Sequence, residues 1–229
     1  KAMKCAIHSC EMGMYEMKKH CLPGKTENDV WAVLHSENIK RGGEWIETRL
    51  LASGQRTNPW FQECGPRIIQ NNEILAFDTD LIGCYGICVD ISRTWFIGDK
   101  VNITPKQKEL YTEAYLQIKE NTSIIKPGMN IKELVFGGRE LPKKYEELRY
   151  SCKMHGVGLC DEWPLVQYPI DYVEGAFDAI LEPGMVLCVE AYIGEEGGFE
   201  GIKLEDQVLI TETGHKNLTN FPFEKDLMN

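Results

Sequence analysis

The chain has 229 residues, a formal net charge of −10 and a hydrophobic content of 43%. This length suits one substantial domain, or two small halves that share a core. The acidic balance argues against nucleic acid as a partner, because binding a phosphate backbone requires clustered Lys and Arg. No apolar run reaches the roughly 18 residues of a membrane span, so no membrane association is expected.

The nine cysteines are an odd number and include no Cys-x-x-Cys pair. Several lie inside apolar segments, so we expect buried free thiols in a reducing compartment, which predicts a cytoplasmic location. The first residues are typical of a helix interior. We therefore expect residues 1–229 to be a catalytic domain that a further N-terminal domain precedes.

The first predicted elements are two helices. Apolar residues recur at helical spacing over 3–20 and end at a Pro-Gly pair. Thr26, followed by acidic residues, starts a second helix that reaches about Arg41. The segments after this helix are rich in apolar and β-branched residues and predict strands; they are 45–53, 66–70, 73–82 and 85–98.

The second part of the chain repeats this order. Pro105 opens a third helix to about Asn121, and a fourth begins near Asn130 after a turn. Three segments then predict strands: 149–159, 184–194 and 201–211. Two helices followed by strands, twice over, predict a mixed α+β fold of two similar halves packed around one sheet.

Acidic residues recur inside these apolar strands. Asp78 and Asp80 lie two apart, so on a strand both carboxylates would project from the same face. Asp90 lies within hairpin reach of them, and Glu190 and Glu205 repeat the pattern in the second half. Acids in such surroundings are costly to bury without cations.

His155 joins this set because it lies among glycines that allow close approach. Oxygen ligands with one imidazole suit a divalent ion such as Fe, Mn, Co or Zn. Five carboxylates exceed the needs of one ion, which favours a pair of ions that share carboxylates. A structural interpretation stays open, since an isolated Asp in a strand often marks a turn and an isolated His often belongs to the core. Arg93 and Lys203 are the only cationic residues beside these acids in the sequence. Two roles are open for Arg93: it holds a ligand carboxylate, or it lies on the surface.

Four segments resemble the metal-site framework of the pita-bread metalloenzyme family, which includes methionine aminopeptidase, aminopeptidase P, prolidase and creatinase. They follow the family's order and are DTDLIGCYGICVDISRT, HGVGLCDEWP, EPGMVLCVEAYIG and GIKLEDQVLIT. The resemblance implies two pseudo-twofold related halves around a curved, mostly antiparallel sheet with helices outside. It also implies a homodimer and two divalent ions per chain. The positions that match the family's usual ligands are Asp78, Asp90, His155, Glu190 and Glu205.

Three departures distinguish the chain from the peptidases of that family. Asp80 stands where they keep a Gly, and the loop with Trp60 and Phe61 lacks their His. Asp161 stands where they keep a second His. At these three positions the chain is similar to the DddP-type dimethylsulfoniopropionate (DMSP) lyases. That resemblance implies that Asp80 is a sixth ligand, that Asp161 is the catalytic base and that iron is the favoured metal.

The same resemblance implies a carbon–sulfur lyase that acts on DMSP, a small zwitterion, by β-elimination to acrylate and dimethyl sulfide. The sulfonium favours an aromatic box, for which Tyr150, Trp60 and Trp163 are candidates. Core packing is the alternative role of these rings, and a solvated pair with Glu162 is the alternative for Asp161. The closest alternative function is a pita-bread metallopeptidase that cleaves Xaa-Pro peptides. A partner-binding module without catalysis would not need an intact ligand set.

Overall fold

The computed structural model describes residues 1–229 and opens with two helices that pack against each other. They are α1 (Ala2–His20) and α2 (Glu27–Lys40). A reciprocal pair of hydrogen bonds begins α2, because the Thr26 side chain accepts from Asp29 N and the Asp29 side chain accepts from Thr26 N. This capping box satisfies two amide groups that the first turn leaves without partners.

The strands of the first half are short and antiparallel. They form two three-stranded sheets, in the orders β1-β4-β5 and β2-β3-β6. Their bounds are β1 (Trp45–Ile46), β2 (Leu51–Ser53), β3 (Glu73–Phe77), β4 (Leu81–Ile82), β5 (Cys88–Val89) and β6 (Arg93–Ile97).

All four predicted strands of this half differ from the structure, and the segment 85–98 divides into β5 and β6. The segment 45–53 divides into β1 and β2, and 66–70 contributes only an isolated bridge between Ile68 and Thr26. The segment 73–82 is broken after Phe77, because Asp80 has a φ of +34°, in the left-handed region that turns the chain. Asp78 and Asp80 therefore lie in the irregular segment between β3 and β4, and the prediction that they share one strand is wrong.

The second half contains α3 (Pro105–Ser123), α4 (Ile131–Phe136) and one larger sheet. The sheet is antiparallel, with the order β11-β10-β9-β7-β8. Its strands are β7 (Met154–Gly156), β8 (Leu165–Val166), β9 (Val186–Ile193), β10 (Ile202–Thr211) and β11 (Gly214–Asn217). The predicted strand 149–159 is thus reduced to the three residues of β7.

Each half has its own apolar core, and the halves meet where β6 runs beside β10. One core joins α1 and α2 to the first sheets, and the other joins α3 and α4 to the larger sheet. At the junction the Thr94 hydroxyl donates to Lys203 O at 2.9 Å and accepts from Lys203 N at 3.1 Å. Glu205 N donates to Ser92 O at 3.1 Å. This arrangement is the predicted α+β fold with two halves.

The cysteines are all free, and most are buried, as expected from their apolar surroundings. The buried ones are Cys10, Cys21, Cys64, Cys88, Cys152 and Cys188. None of the helices combines the length and the apolar character that crossing a membrane requires.

Candidate metal centre and active site

The segments that follow β3 and β5 bring three carboxylates of the first half together. Asp78 and Asp80 follow β3, and Asp90 follows β5, which pairs with β4. One oxygen from each lies within 4.8 Å of the others. Asp80 N also lies 3.3 Å from the Asp90 Oδ1 acceptor. The three acids therefore converge from irregular segments that follow β3 and β5, and not by alternation along one strand.

Neighbouring strands of the larger sheet supply the remaining predicted ligands. Glu190 on β9 lies directly opposite Glu205 on β10, so both side chains share one face. His155 on β7 points its Nε2 toward three acids. The distances are 3.2 Å to Glu205 Oε1, 3.7 Å to Glu190 Oε1 and 3.8 Å to Asp90 Oδ2.

The two halves share one buried cluster that contains all six predicted ligands. Asp78 of the first half groups with Glu190 and Glu205 of the second, their oxygens lying within 4.8 Å of one another. The His155 Nδ1 atom lies 3.1 Å from Gly156 O. A proton on Nδ1 would be donated to that carbonyl, which leaves Nε2 free to act as a ligand.

Lys203 lies inside this cluster, although the sequence assigned it no role there. Its Nζ is 2.7 Å from Asp78 Oδ2, 2.7 Å from Glu190 Oε2 and 3.0 Å from Glu205 Oε2, and the side chain is 0% exposed. The Ser92 hydroxyl donates to Asp78 Oδ1 at 2.6 Å. Spacing could have identified Lys203, because it precedes Glu205 by two residues on one strand and so shares its face.

Burial makes these acids difficult to ionise together. It raises the pKa of Glu190 to about 8 and that of Asp80 to about 7. Burial also opposes ionisation of Glu205, but Lys203 and His155 outweigh it and lower the pKa of that carboxyl. Buried carboxylates that crowd one imidazole match the donors that hard to borderline divalent ions prefer, so the residues fit a bound metal pair.

Asp161 lies beside the imidazole and is not a solvated surface acid. Its side chain is 7% exposed, and its Oδ1 is 3.6 Å from His155 Nδ1. Burial raises the pKa of Asp161 to about 7. The neighbouring Glu162 also reaches the site, with its Oε1 3.8 Å from His155 Nε2. From the sequence it is expected only as part of a solvated acidic pair.

Two of the three candidate rings line one cavity next to the cluster. Tyr150 and Trp60 contribute to a cavity of about 280 Å³, together with Phe61 and Tyr192. Trp60 stacks on Tyr192, with ring centroids 6.1 Å apart. The Tyr150 ring already faces a cation, since Lys203 Nζ lies 4.6 Å from its centroid.

Trp163 lies outside this cavity, and Arg93 is placed differently from its predictions. Trp163 is 55% exposed and packs against Phe177, with centroids 5.1 Å apart. Arg93 is buried and donates to Asp206 Oδ1 at 2.7 Å and to the backbone Glu205 O at 2.6 Å. It therefore holds the backbone of a ligand, and both predictions, a ligand carboxylate or the surface, are wrong.

The sequence profile of metallopeptidase family M24 matches residues 1–212. The chain belongs to this family. It superposes on the Xaa-Pro dipeptidase of Bacillus anthracis with a TM-score of 0.83 and 26% identity, over 98% of this chain and 61% of that one. The predicted pita-bread fold is thereby confirmed.

Two curated relatives are named for different activities. The chain is 60% identical over 234 residues to the dimethylsulfoniopropionate lyase DddP of Roseovarius nubinhibens, covering 99% of this chain and 52% of that protein. It is 34% identical over 205 residues to the Xaa-Pro dipeptidase of Pyrococcus furiosus, covering 86% of this chain and 54% of that protein. The chain therefore spans about half the length of these relatives.

Proposed function

We propose that residues 1–229 form the catalytic domain of a metal-dependent lyase that converts DMSP to acrylate and dimethyl sulfide. The observation that carries this proposal is the buried Asp161 carboxylate, 3.6 Å from His155, at the position where the family's peptidases keep a second His. The 60% identity to a protein named as a DMSP lyase supports the same reaction.

A pair of divalent ions belongs to the proposal, with iron favoured over Zn, Mn or Co. The residues that would hold them are Asp78, Asp80, Asp90, His155, Glu190 and Glu205. When bound, the ions would neutralise the substrate carboxylate and stabilise the charge that develops beside it.

Asp161 acts as the general base in this proposal. It takes a proton from the carbon next to the substrate carboxylate, and the electron pair of that bond forms the carbon–carbon double bond. The carbon–sulfur bond breaks, and its electron pair leaves with the sulfur. Dimethyl sulfide departs as a neutral molecule, so no acid is needed. Burial raises the pKa of Asp161 to about 7, which makes its carboxylate a stronger base than an ordinary Asp.

Hydrolysis of Xaa-Pro peptides is the competing function, because the fold and the family are those of such peptidases. It is disfavoured by Asp161 and by the loop with Trp60 and Phe61, which supplies no imidazole. We also propose a homodimer, from the family resemblance. A cytoplasmic location is proposed because free thiols stay reduced there.

The lyase is tested by supplying DMSP to the metal-replete protein and measuring dimethyl sulfide in the headspace and acrylate in solution. Equal amounts of both products are expected. An Asp161→Asn variant should lose about 10²-fold or more of this rate, since it keeps the shape but not the base. The absence of dimethyl sulfide from a metal-replete protein, or a fully active Asp161→Asn variant, would contradict the proposal.

A further inference from the structure

Asp161 and Glu162 both reach the imidazole of His155, but on different sides. Asp161 Oδ1 is 3.6 Å from Nδ1, whereas Glu162 Oε1 is 3.8 Å from Nε2, the nitrogen that faces the ligand carboxylates. One Glu162 oxygen lies within 4.8 Å of ligand atoms of Asp90 and His155, and likewise of Cys152 and Glu190. The Glu162 carboxylate thus lies within reach of three proposed ligands, Asp90, His155 and Glu190.

Glu162 is also the member of these groups that solvent reaches. Its side chain is 46% exposed, whereas the side chains of Asp90, His155 and Glu190 are at most 1% exposed. The backbone at Glu162 has a φ of +61°, a left-handed conformation that residues with a side chain rarely adopt. The Glu162 carboxylate therefore lies where the cluster meets solvent.

Charge balance leaves Glu162 available for a cation. Two divalent ions and the Lys203 ammonium would match the charge of the five proposed ligand carboxylates. Asp161 is reserved as the base. Glu162 makes no ion pair with Lys or Arg, since its charged contact within 4.0 Å is His155 alone.

The Tyr150 ring is a poor place for the sulfonium. Lys203 Nζ lies 4.6 Å from its centroid, and Phe61 stacks with it at 6.1 Å. A second cation on this ring would be repelled by the buried ammonium. The aromatic cavity, of which Tyr150 forms a wall, therefore competes poorly for a positively charged group.

The chemistry of elimination places the cation near the base instead. The leaving sulfur is bonded to the carbon adjacent to the one that loses its proton, so it lies only two bonds from the carbon that Asp161 deprotonates. We propose that Glu162 is a specificity-determining residue that binds the sulfonium end of the zwitterionic substrate. This inference rests on the proposed function.

The test compares two unreactive ligands of one shape on the metal-replete protein by isothermal titration calorimetry. They are 3-(trimethylammonio)propanoate, which carries the cation, and its isostere 4,4-dimethylpentanoate, in which an uncharged carbon replaces the ammonium nitrogen. The wild-type protein should bind the cationic ligand about 5- to 10-fold more tightly, as expected for a partly exposed charge pair. Glu162→Gln should reduce this preference to nearly one, and Glu162→Asp should retain part of it.

Glu147→Gln is the matched control, because Glu147 is an exposed acid that lines the aromatic cavity. It should leave the preference unchanged. The inference is overturned if Glu162→Gln keeps the preference, if Glu147→Gln abolishes it, or if Glu162→Gln loses bound metal, which would make Glu162 a ligand. A wild-type protein with no preference also overturns it, even when dimethyl sulfide is produced. A Glu162-dependent preference without dimethyl sulfide would instead contradict the proposed reaction.

Discussion

Lys203 concentrates positive charge where the proposed ligands would otherwise repel one another. Its ammonium contacts Asp78, Glu190 and Glu205 at 2.7–3.0 Å and is completely buried. These contacts raise its pKa well above the ordinary value, although burial alone would lower it. Lys203 therefore holds the carboxylates together in the absence of metal and shares their charge when metal is bound.

Replacing Lys203 by Met should destabilise the metal-free protein by about 3–5 kcal/mol, because it leaves buried carboxylates without their ammonium. The loss should be smaller in the metal-loaded protein, where bound cations offset part of the charge. Urea denaturation with and without a chelator measures both values.

Lys153→Met is the control for this comparison. Lys153 is also buried, but its Nζ donates to Val135 O at 2.8 Å and Gly137 O at 2.6 Å and contacts no acid. Its effect should be independent of metal. A Lys203→Met loss that is equal with and without metal would refute the role assigned to this ammonium.

The raised pKa of Asp161 predicts how the lyase rate depends on pH. Burial shifts the midpoint to about 7, and bound cations nearby would lower it. Because the base must be ionised, kcat/KM should rise with pH through a midpoint at or below about 7 and then level off. Asp161→Glu should move this midpoint while metal content stays constant. A rate that falls between pH 5 and pH 7 would contradict the assignment.

At the level of elements, the junction of β6 with β10 positions the ligand residues of the two halves relative to each other. The Thr94 hydroxyl forms hydrogen bonds with the backbone O and N of Lys203, at 2.9 and 3.1 Å respectively. Thr94→Val should cost about 1–3 kcal/mol, because two buried backbone groups lose their partner. It should also weaken metal binding, since Glu205 lies two residues further along β10.

The control for Thr94→Val is Thr213→Val, at an exposed position beyond β10. It should change neither the free energy of unfolding nor the metal affinity. Metal titrations and urea denaturation of both variants give the comparison. A Thr94→Val protein with wild-type stability and metal affinity would show that the junction does not position the cluster.

Helices were predictable because their signals are local. α2, α3 and α4 each begin with a capping box, whose two residues lie three apart in the sequence. Strands were less predictable, as the break after Phe77 shows. The left-handed φ of Asp80 is visible in the sequence only as an acid at a position where the family's peptidases keep Gly.

The candidate site was predictable as a set of acids and one imidazole, but its internal contacts were not. Glu190 and Glu205 are recognisable because each is an acid inside an apolar strand, β9 and β10 respectively. The position of Lys203 over Tyr150 depends on a contact between segments far apart in the chain, and that of Glu162 beside His155 depends on the irregular connection between β7 and β8. Packing of this kind leaves no periodic pattern in a single sequence.

For the whole molecule, the two halves of an M24 fold enclose one cluster to which each contributes acids. The fold is shared with Xaa-Pro dipeptidases, and the chain spans about half the length of its curated relatives. Fold alone therefore does not choose between carbon–sulfur elimination and peptide hydrolysis. The choice depends on the groups around the cluster, above all Asp161.

The most direct measurement is a comparison of kcat/KM for DMSP and for an Xaa-Pro dipeptide on one metal-replete sample. We expect dimethyl sulfide and acrylate from DMSP at a rate that requires the Asp161 carboxylate, and peptide cleavage no faster than in the Asp161→Asn variant. Efficient dipeptide hydrolysis, with no dimethyl sulfide from DMSP, would show that the chain is a peptidase and not a lyase.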